Sequence, residues 1–294
     1  MDLVQGLKNA KHRAHIARLQ ALHKKRVLGA RIFDIADRIR PFEWVPERYG
    51  DAFFAQSDPK ILLQPESVPE RLWLIWTGEN EMSSDRKDRL REIYEKNSDI
   101  EVTLVTPRNL GDFEVHNSPI NPAYEHLSLV HRSDYLRCYL LHHHGGGYID
   151  IKTPRISISE TFDAFRDPNI WLTTYSEPLT ILTAWMEGPI NRDLNVHRRW
   201  VPGQASMVSR PRTPITSEWY TELERRIDAN ADRLAAEPGG VYGQGVPGGA
   251  PPSNPSYPFH WADLLSRIYH PLGLKYRDHV YYEERMFPSL SNYR

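Results

Sequence analysis

The sequence lacks several features that would point to other classes of protein. It contains one cysteine, Cys138, which excludes an internal disulfide and is typical of a reducing compartment. No apolar run approaches the roughly 18 residues of a transmembrane helix, and residues 1–40 lack the continuous apolar segment of a signal peptide. The net charge of −1 gives no general attraction for nucleic acid. We therefore expect a cytoplasmic protein without a nucleic-acid partner.

Charge is concentrated at the amino-terminal end. Residues 1–40 contain ten basic and three acidic residues, a local net charge of +7. Apolar residues recur there at roughly helical spacing, which predicts a helical extension over residues 1–60. This basic helix either lies on the inner face of an anionic membrane or packs on the rest of the protein.

The remaining residues, 61–294, alternate between strand and helix patterns. The apolar run 71–76, a charged helix capped by Ser83 or Ser84 and ending near Lys96, and the β-branched segment 101–106 form a strand–helix–strand unit typical of parallel sheets. Further strands are predicted over 148–151, 170–175, 180–186 and 205–209, and helices over 127–143 and 214–236. We expect an α/β domain with a mostly parallel central sheet flanked by helices.

A long segment rich in proline and glycine follows the last of these helices. Residues 237–258 carry too many breakers for regular structure and are predicted to form a loop. Loops of this length inside a compact domain often close over a ligand, so we expect the part around 241–252 to act as a lid.

The densest chemical signal lies between residues 133 and 152. Asp134 and Arg137 are three apart on a predicted helix and face the same side. A run of three glycines follows, and the strand after it places Tyr148, Asp150 and Lys152 on one face. Open α/β sheets bind ligands at the ends of their strands, so we expect a binding site here.

This pattern resembles the sugar-binding glycosyltransferases that contain a DXD motif. The residues that carry the resemblance are S-D-x-x-R at 133–137, G-G-x-Y at 145–148 and Asp150, with an opening strand that ends in Trp76 and Thr77. The family includes initiating mannosyltransferases, capsular polysaccharide synthesis proteins and clostridial glucosylating toxins. Segments 207–214, 218–219 and 257–261 are most similar to the capsular branch.

The resemblance implies a GT-A fold and transfer of a hexose, with retention, from a UDP- or GDP-linked sugar to a glycan or lipid-linked saccharide. The family pattern implies that Asp134 and Arg137 hold the donor sugar and diphosphate. Asp150 matches the first acidic residue of DXD, and Trp76 matches the position that stacks on the nucleobase. Thr77, Gly146 and Tyr148 would complete the donor pocket.

The sequence departs from the family at the second acidic position of DXD, which is Lys152. A lysine about 5 Å from a divalent cation would cost several kcal/mol. Either Lys152 itself binds the diphosphate, or it turns aside and Asp150 holds Mn²⁺ or Mg²⁺ together with His260 or Asp263. A pairing between Lys152 and Asp150 would favour an alternative function, a catalytically silent module that binds nucleotide sugars.

Overall fold

The computed structural model describes residues 28–56, 67–246 and 254–289. Three predictions fall wholly or partly beyond them. Residues 1–27 of the basic extension lie outside the described residues, and so does the predicted boundary between residues 60 and 61. The tip of the predicted lid, 247–253, also lies outside them.

The described chain alternates between strands and helices. The strands are β1 (Arg71–Ile75), β2 (Glu101–Val105), β3 (Gly146–Ile149), β4 (Leu172–Ser176), β5 (Pro202–Ser209) and β6 (Val280–Tyr282). Residues 28–39 are helical and are named α1. The other α-helices are α2 (Phe53–Gln56), α3 (Ser84–Lys96), α4 (Leu129–His143), α5 (Pro189–Val196), α6 (Pro214–Asp228), α7 (Ala231–Ala236) and α8 (Ser266–Lys275). No helix among these residues is both long and apolar enough to cross a bilayer.

The six strands form one sheet in the order β2-β1-β3-β5-β4-β6. β1 pairs in parallel with β2 and β3, and β4 pairs in parallel with β6. β5 lies between β3 and β4 and is antiparallel to both, so the other five strands point the same way. The mostly parallel α/β sheet expected from the sequence is confirmed, and it is consistent with a GT-A-like fold.

Two hydrophobic cores lie on the two faces of this sheet. Alternate residues of β1 contribute to different cores: Trp73 belongs to the larger one, whereas Leu72 and Leu74 belong to the smaller one. This period of two is what a strand buried on both faces requires. Helices α4, α6 and α8 pack against the larger core and α3 against the smaller one. The sheet therefore lies between two helical layers.

The strand–helix–strand unit at the start of the domain agrees with its prediction. β1 and β2 lie where the apolar and β-branched runs placed them. Ser83 caps α3, since its hydroxyl accepts a hydrogen bond from the amide of Arg86. The sequence patterns of this region each lie within the element that they specify, so they were sufficient to predict these elements.

Other element predictions need correction. Residues 180–186, predicted as a strand, contain only a 3₁₀ turn at Thr180–Leu182, because β6 already occupies the free edge of β4. β6 itself was not predicted. The predicted helix 214–236 breaks into α6 and α7. β3 begins two residues earlier than expected, so Asp150 follows the strand and does not lie within it.

The glycine run makes the turn from α4 into β3. Gly145 and Gly146 both have positive φ values, of 67° and 95°. The amide of Gly145 donates to the carbonyl oxygens of Leu140 and Leu141, which closes the carboxyl end of the helix. A Cβ atom on Gly146 would lie 2.7 Å from Cγ of Arg71, so β3 could not pair closely with β1. The glycines thus set the distance between the helix and the strand that carry the candidate site.

Candidate functional site

The carboxyl ends of β3 and β4 lie at the same edge of the sheet. Asp150 directly follows β3, and its amide donates to the carbonyl of Ala205 on the neighbouring β5. Glu177 directly follows β4, and its amide donates to the carbonyl of Val201. α4 runs back over this edge and brings Asp134 and Arg137 to it.

Asp150 is the centre of the cluster. Its Oδ1 accepts hydrogen bonds from the hydroxyl of Tyr148 at 2.7 Å and from Nη2 of Arg137 at 3.3 Å. Its Oδ2 accepts from Nζ of Lys152 at 2.6 Å. Burial raises the pKa of this carboxyl, but Lys152 and Arg137 outweigh it and leave the pKa below its usual value. Asp150 is therefore a carboxylate between two cations.

Arg137 is held on several sides. Nη1 donates to the carbonyl of Gln204 at 3.0 Å, and Nη2 donates to the hydroxyl of Tyr148 at 2.9 Å. The guanidinium also lies 4.4 Å from the centroid of the Tyr148 ring. Tyr148 is buried, so it positions Arg137 and Asp150 and offers little surface to a ligand.

Asp134 is buried one helical turn before Arg137. Nη2 of Arg137 lies 3.8 Å from Oδ1 of Asp134, as the spacing on α4 predicts. Burial raises the pKa of Asp134 to about 7 despite this cation, and the charge of Asp150 adds to the increase. The carboxyl of Asp134 thus keeps its proton at pH values where an exposed aspartate is ionised, so it can donate as well as accept hydrogen bonds.

The surroundings of Asp150 do not fit a divalent cation. Lys152 occupies one carboxylate oxygen and Arg137 lies against the other. A cation bound to Oδ2 would lie about 4–5 Å from the ammonium of Lys152, which costs several kcal/mol at an effective dielectric constant of about 20. In the described part of the chain, no group of three or more His, Cys, Asp or Glu side chains could hold a metal ion.

His260 and Asp263, named from the sequence as further metal ligands, interact with other partners. Oδ2 of Asp263 accepts the amide hydrogen of His260 at 2.6 Å, and Oδ1 lies 2.7 Å from Nη1 of Arg267. The structure does not bring these two side chains together with Asp150 into a metal-binding group.

Trp76 and Thr77 lie just beyond the carboxyl end of β1. The indole Nε1 of Trp76 donates to the carbonyl of Asn80 at 3.0 Å, and the ring is partly buried against the smaller core. The hydroxyl of Thr77 donates to the carbonyl of Leu129, which ties the end of β1 to the start of α4. Part of the Trp76 ring therefore stays accessible at the carboxyl edge of the sheet.

Gly146 occupies the opposite end of β3 from Asp150. Four residues of a strand span about 13 Å, so Gly146 is not brought to the carboxyl edge. Its positive φ and its contact with Arg71 account for a glycine at this position. The expectation that Gly146 contacts the donor is not supported by this placement.

The sequence analysis overlooked Glu177. This residue is buried, and its carboxyl interacts with Lys152 and hydrogen-bonds the side chain of Gln204. Burial raises its pKa to about 8, and the hydrogen bonds from Gln204 and the charge of Lys152 only partly oppose this effect. Glu177 is therefore a neutral acid at pH 7, beside a lysine that already pairs with Asp150.

A signal for Glu177 was present in the sequence, whereas Gln204 had none. Glu177 is the first acidic residue after the predicted strand 170–175, and in a mostly parallel sheet such a residue is expected at the same edge as Asp150. Gln204 lies near the amino end of β5 and reaches this edge only because β5 runs antiparallel.

The charges at this edge favour an anionic ligand. Arg137 and Lys152 are cationic and Asp150 is anionic, while the raised pKa values of Asp134 and Glu177 keep these two carboxyls neutral below about pH 7. The cluster then has one positive charge in excess, surrounded by buried side chains where it is poorly screened.

A comparison with known protein families finds a match in this part of the chain. A family model described as glycosyltransferase sugar-binding region containing DXD motif matches residues 69–155. The match starts just before β1 and ends after Lys152, so it includes Asp134, Arg137 and Asp150. No curated protein matches the chain. Residues 69–155 are thus similar to the sugar-binding region of the glycosyltransferases that contain a DXD motif.

Proposed function

We propose that the protein transfers a hexose from a nucleoside-diphosphate sugar to a saccharide acceptor, with retention of anomeric configuration. One observation carries this proposal. The cluster of Asp134, Arg137, Asp150 and Lys152 lies at the carboxyl edge of a mostly parallel sheet, within the stretch that matches the family model. Ligands of open α/β sheets bind at this edge.

The diphosphate would bind at Lys152 and Arg137. In the protein alone, Asp150 neutralises part of both charges and holds the two side chains in place. A diphosphate oxygen would be a further anionic partner for the ammonium of Lys152, beside Asp150. We assign Asp150 the role of a fixed counter-ion that keeps the two cations oriented for the donor.

The donor sugar and base would lie on either side of the diphosphate. Asp134 can hydrogen-bond a sugar hydroxyl in either protonation state, because its pKa is close to neutral pH. Trp76, with Thr77 behind it, offers the exposed part of its ring to a nucleobase, either uracil or guanine. These roles rest on the position of each side chain at the strand edge.

The chemistry that this edge must support is substitution at the anomeric carbon. The bond from that carbon to the phosphate oxygen breaks, and the oxygen leaves with the electron pair. A bond to the acceptor hydroxyl oxygen forms on the same face, and the hydroxyl proton passes to the departing phosphate. Negative charge grows on the diphosphate, where Lys152 and Arg137 are already oriented and need no reorganisation.

Lys152 would reduce the need for a metal. A divalent cation normally supplies two positive charges at the diphosphate in this family, whereas Lys152 supplies one that is covalently attached. The contact with Asp150 already fills the place that a metal would occupy. We therefore propose a transferase in which metal dependence is weak.

The proposed acceptor follows from the resemblance to the capsular branch, and the proposed location follows from Cys138. A glycan or a lipid-linked saccharide of cell-surface or capsular polysaccharide synthesis fits the sequence segments that resemble the capsular branch. The only cysteine, Cys138, is buried and unpaired, which fits a cytoplasmic location.

One observation favours a second function. Because Lys152 and Arg137 already occupy the oxygens of Asp150, the same pocket could bind a nucleotide sugar without turnover. Such a silent module would keep donor affinity and lack transfer.

A binding screen and a release assay together test the proposal. Thermal shift with UDP, GDP and their hexose conjugates, with and without Mn²⁺, identifies the donor. Incubation with that donor and a saccharide acceptor should then release the nucleoside diphosphate. Binding without release would identify the silent module, and the absence of any stabilisation would contradict both functions.

A further inference from the structure

The helix α1 turns its acidic residues toward the rest of the protein. Asp34 accepts a hydrogen bond from Nη2 of Arg198 at 2.7 Å, and the same nitrogen donates to the carbonyl of Ala30. Asp37 is completely buried and contacts both His197 and Arg199. Because these contacts come from one side, they fix the rotation of the helix about its axis.

The opposite face of α1 is apolar and exposed. It consists of Leu28, Ile32, Ile35 and Ile39, whose exposed fractions are 61%, 57%, 57% and 79%. Their spacing of four, three and four residues places them in one stripe, about 16 Å long. Four large aliphatic side chains in one exposed row are unusual on a surface that only contacts water.

The charges beside this stripe have one sign. Arg31 and Arg38 lie next to it on the same side of the helix, and Arg40 follows its end, all three exposed. The two acidic residues of α1, Asp34 and Asp37, are engaged on the other side. The preceding residues 1–27 contribute seven basic residues and one acidic residue. The apolar stripe is therefore bordered by arginine and not by acid.

We infer that α1 lies in the surface of an anionic lipid bilayer, with this stripe inserted between the lipids. A helix in the plane of the interface buries its apolar side chains below the headgroups while its arginines contact lipid phosphates. A second copy of the chain fits less well, because a symmetric contact would bring Arg31 and Arg38 close to their own counterparts. This inference is independent of the donor site and of the proposed transfer.

The buried contacts of Asp34 and Asp37 determine how the protein would lie on the membrane. Here ion pairs and hydrogen bonds hold the helix to the protein, and the apolar stripe is left for the bilayer. The protein would consequently bind in one orientation relative to the membrane.

Vesicle sedimentation of the full chain tests the inference. We expect binding to phosphatidylcholine vesicles with 30% phosphatidylglycerol and little binding to pure phosphatidylcholine, and we expect 0.5 M NaCl to weaken the binding. Ile35→Asp should lower the partition coefficient by at least about tenfold, because it replaces an aliphatic side chain that would lie among the lipids with a charge. Ile181→Asp is the matched control, since Ile181 is 54% exposed and lies in the 3₁₀ turn Thr180–Leu182, outside α1.

Two further variants separate the stripe from general basicity. Arg31→Glu and Arg38→Glu should each weaken binding by about fivefold or more. Equal binding of Ile35→Asp and the wild type, or no binding to the anionic vesicles, would overturn the inference. Light scattering gives a second check, because a dimer that Ile35→Asp dissociates would identify a second copy as the occupant. Circular dichroism establishes that each variant is folded.

Discussion

Nζ of Lys152 lies 2.6 Å from Oδ2 of Asp150, so the two residues that the family resemblance places at the acidic positions of a DXD motif are paired with each other. A DXD pair normally presents two carboxylates to one cation. Here the second position contributes the positive charge itself. Arg137 lies against the other carboxylate oxygen, at 3.3 Å. Asp150 is therefore flanked by two cationic side chains.

Replacing Asp150 should abolish transfer. Asp150→Asn removes the negative charge that orients Lys152 and Arg137, and we expect turnover to fall by at least about a hundredfold. The variant should also unfold at lower temperature, because two buried cations lose their partner. Asp88→Asn, at an exposed pair with Arg91, is the control and should behave as wild type. Transfer near the wild-type rate in a folded Asp150→Asn protein would contradict the assignment.

Lys152 should make transfer partly independent of metal. We expect residual activity after chelation, and we expect Lys152→Ala to weaken donor binding by about ten- to hundredfold, the effect of one charged hydrogen bond. Lys152→Asp restores the acidic position and should make the enzyme require Mn²⁺. The measurement is a chelator titration on all three proteins, with the exposed Lys87→Ala as control. If chelator removes all wild-type activity while Lys152→Ala is normal, a metal with other ligands acts instead.

Trp76 should recognise the base and not the diphosphate. Stacking of a base on an aromatic ring contributes about 1–3 kcal/mol, so Trp76→Ala should weaken nucleoside-diphosphate binding by about five- to 150-fold. Its affinity for inorganic pyrophosphate should not change, and Trp76→Phe should retain most of the nucleotide affinity. Calorimetry with both ligands separates the two effects. Trp185→Ala, an exposed indole elsewhere, is the control. A parallel loss of both affinities would indicate a structural role for Trp76.

Glu177 should make the stability of the protein fall as the pH rises. Its pKa is raised from 4.5 to about 8 by burial, so the folded state binds this proton more tightly than the unfolded chain does. The stabilisation is complete below about pH 4.5 and is lost as the pH rises through 8. Relative to wild type, Glu177→Gln should therefore gain unfolding free energy over this window, by at most about 1.4 kcal/mol per pH unit.

Urea unfolding at pH 5, 6, 7 and 8 measures this difference. Glu47→Gln, at an exposed position, is the control. A difference between Glu177→Gln and wild type that does not change with pH would mean that Glu177 is ionised in the folded protein. The buried Asp134 should produce a similar trend at lower pH, since its pKa is raised only to about 7.

Local signals determined much of what could be predicted about this protein. The apolar run of β1, the Ser83 cap of α3 and the β-branched run of β2 each specify their own element within a few residues. The spacing of Asp134 and Arg137 on one helix, and of Tyr148, Asp150 and Lys152 after one turn, brought the central cluster together. Such contacts depend on helical and strand periodicity, which is a property of the chain itself.

The tertiary structure decided what those periodicities leave open. The direction of β5 brings Gln204 to the edge where Asp150 and Glu177 end their strands, and strand direction depends on pairing across the whole sheet. Segment 180–186 has the composition of a strand, but the edge of β4 with which it could have paired is occupied by β6.

The tertiary structure also decided the pairing of Lys152 and the orientation of α1. Whether Lys152 turns to Asp150 or away from it depends on Arg137 of α4 and Tyr148 of β3, which contact each other and Asp150. The sequence of α1 determined that one stripe is aliphatic and that arginines border it. Only the buried contacts of Asp34 and Asp37 with residues 197–199 decided that this stripe faces outward, because ion pairs across 160 residues of chain cannot be derived from helical spacing.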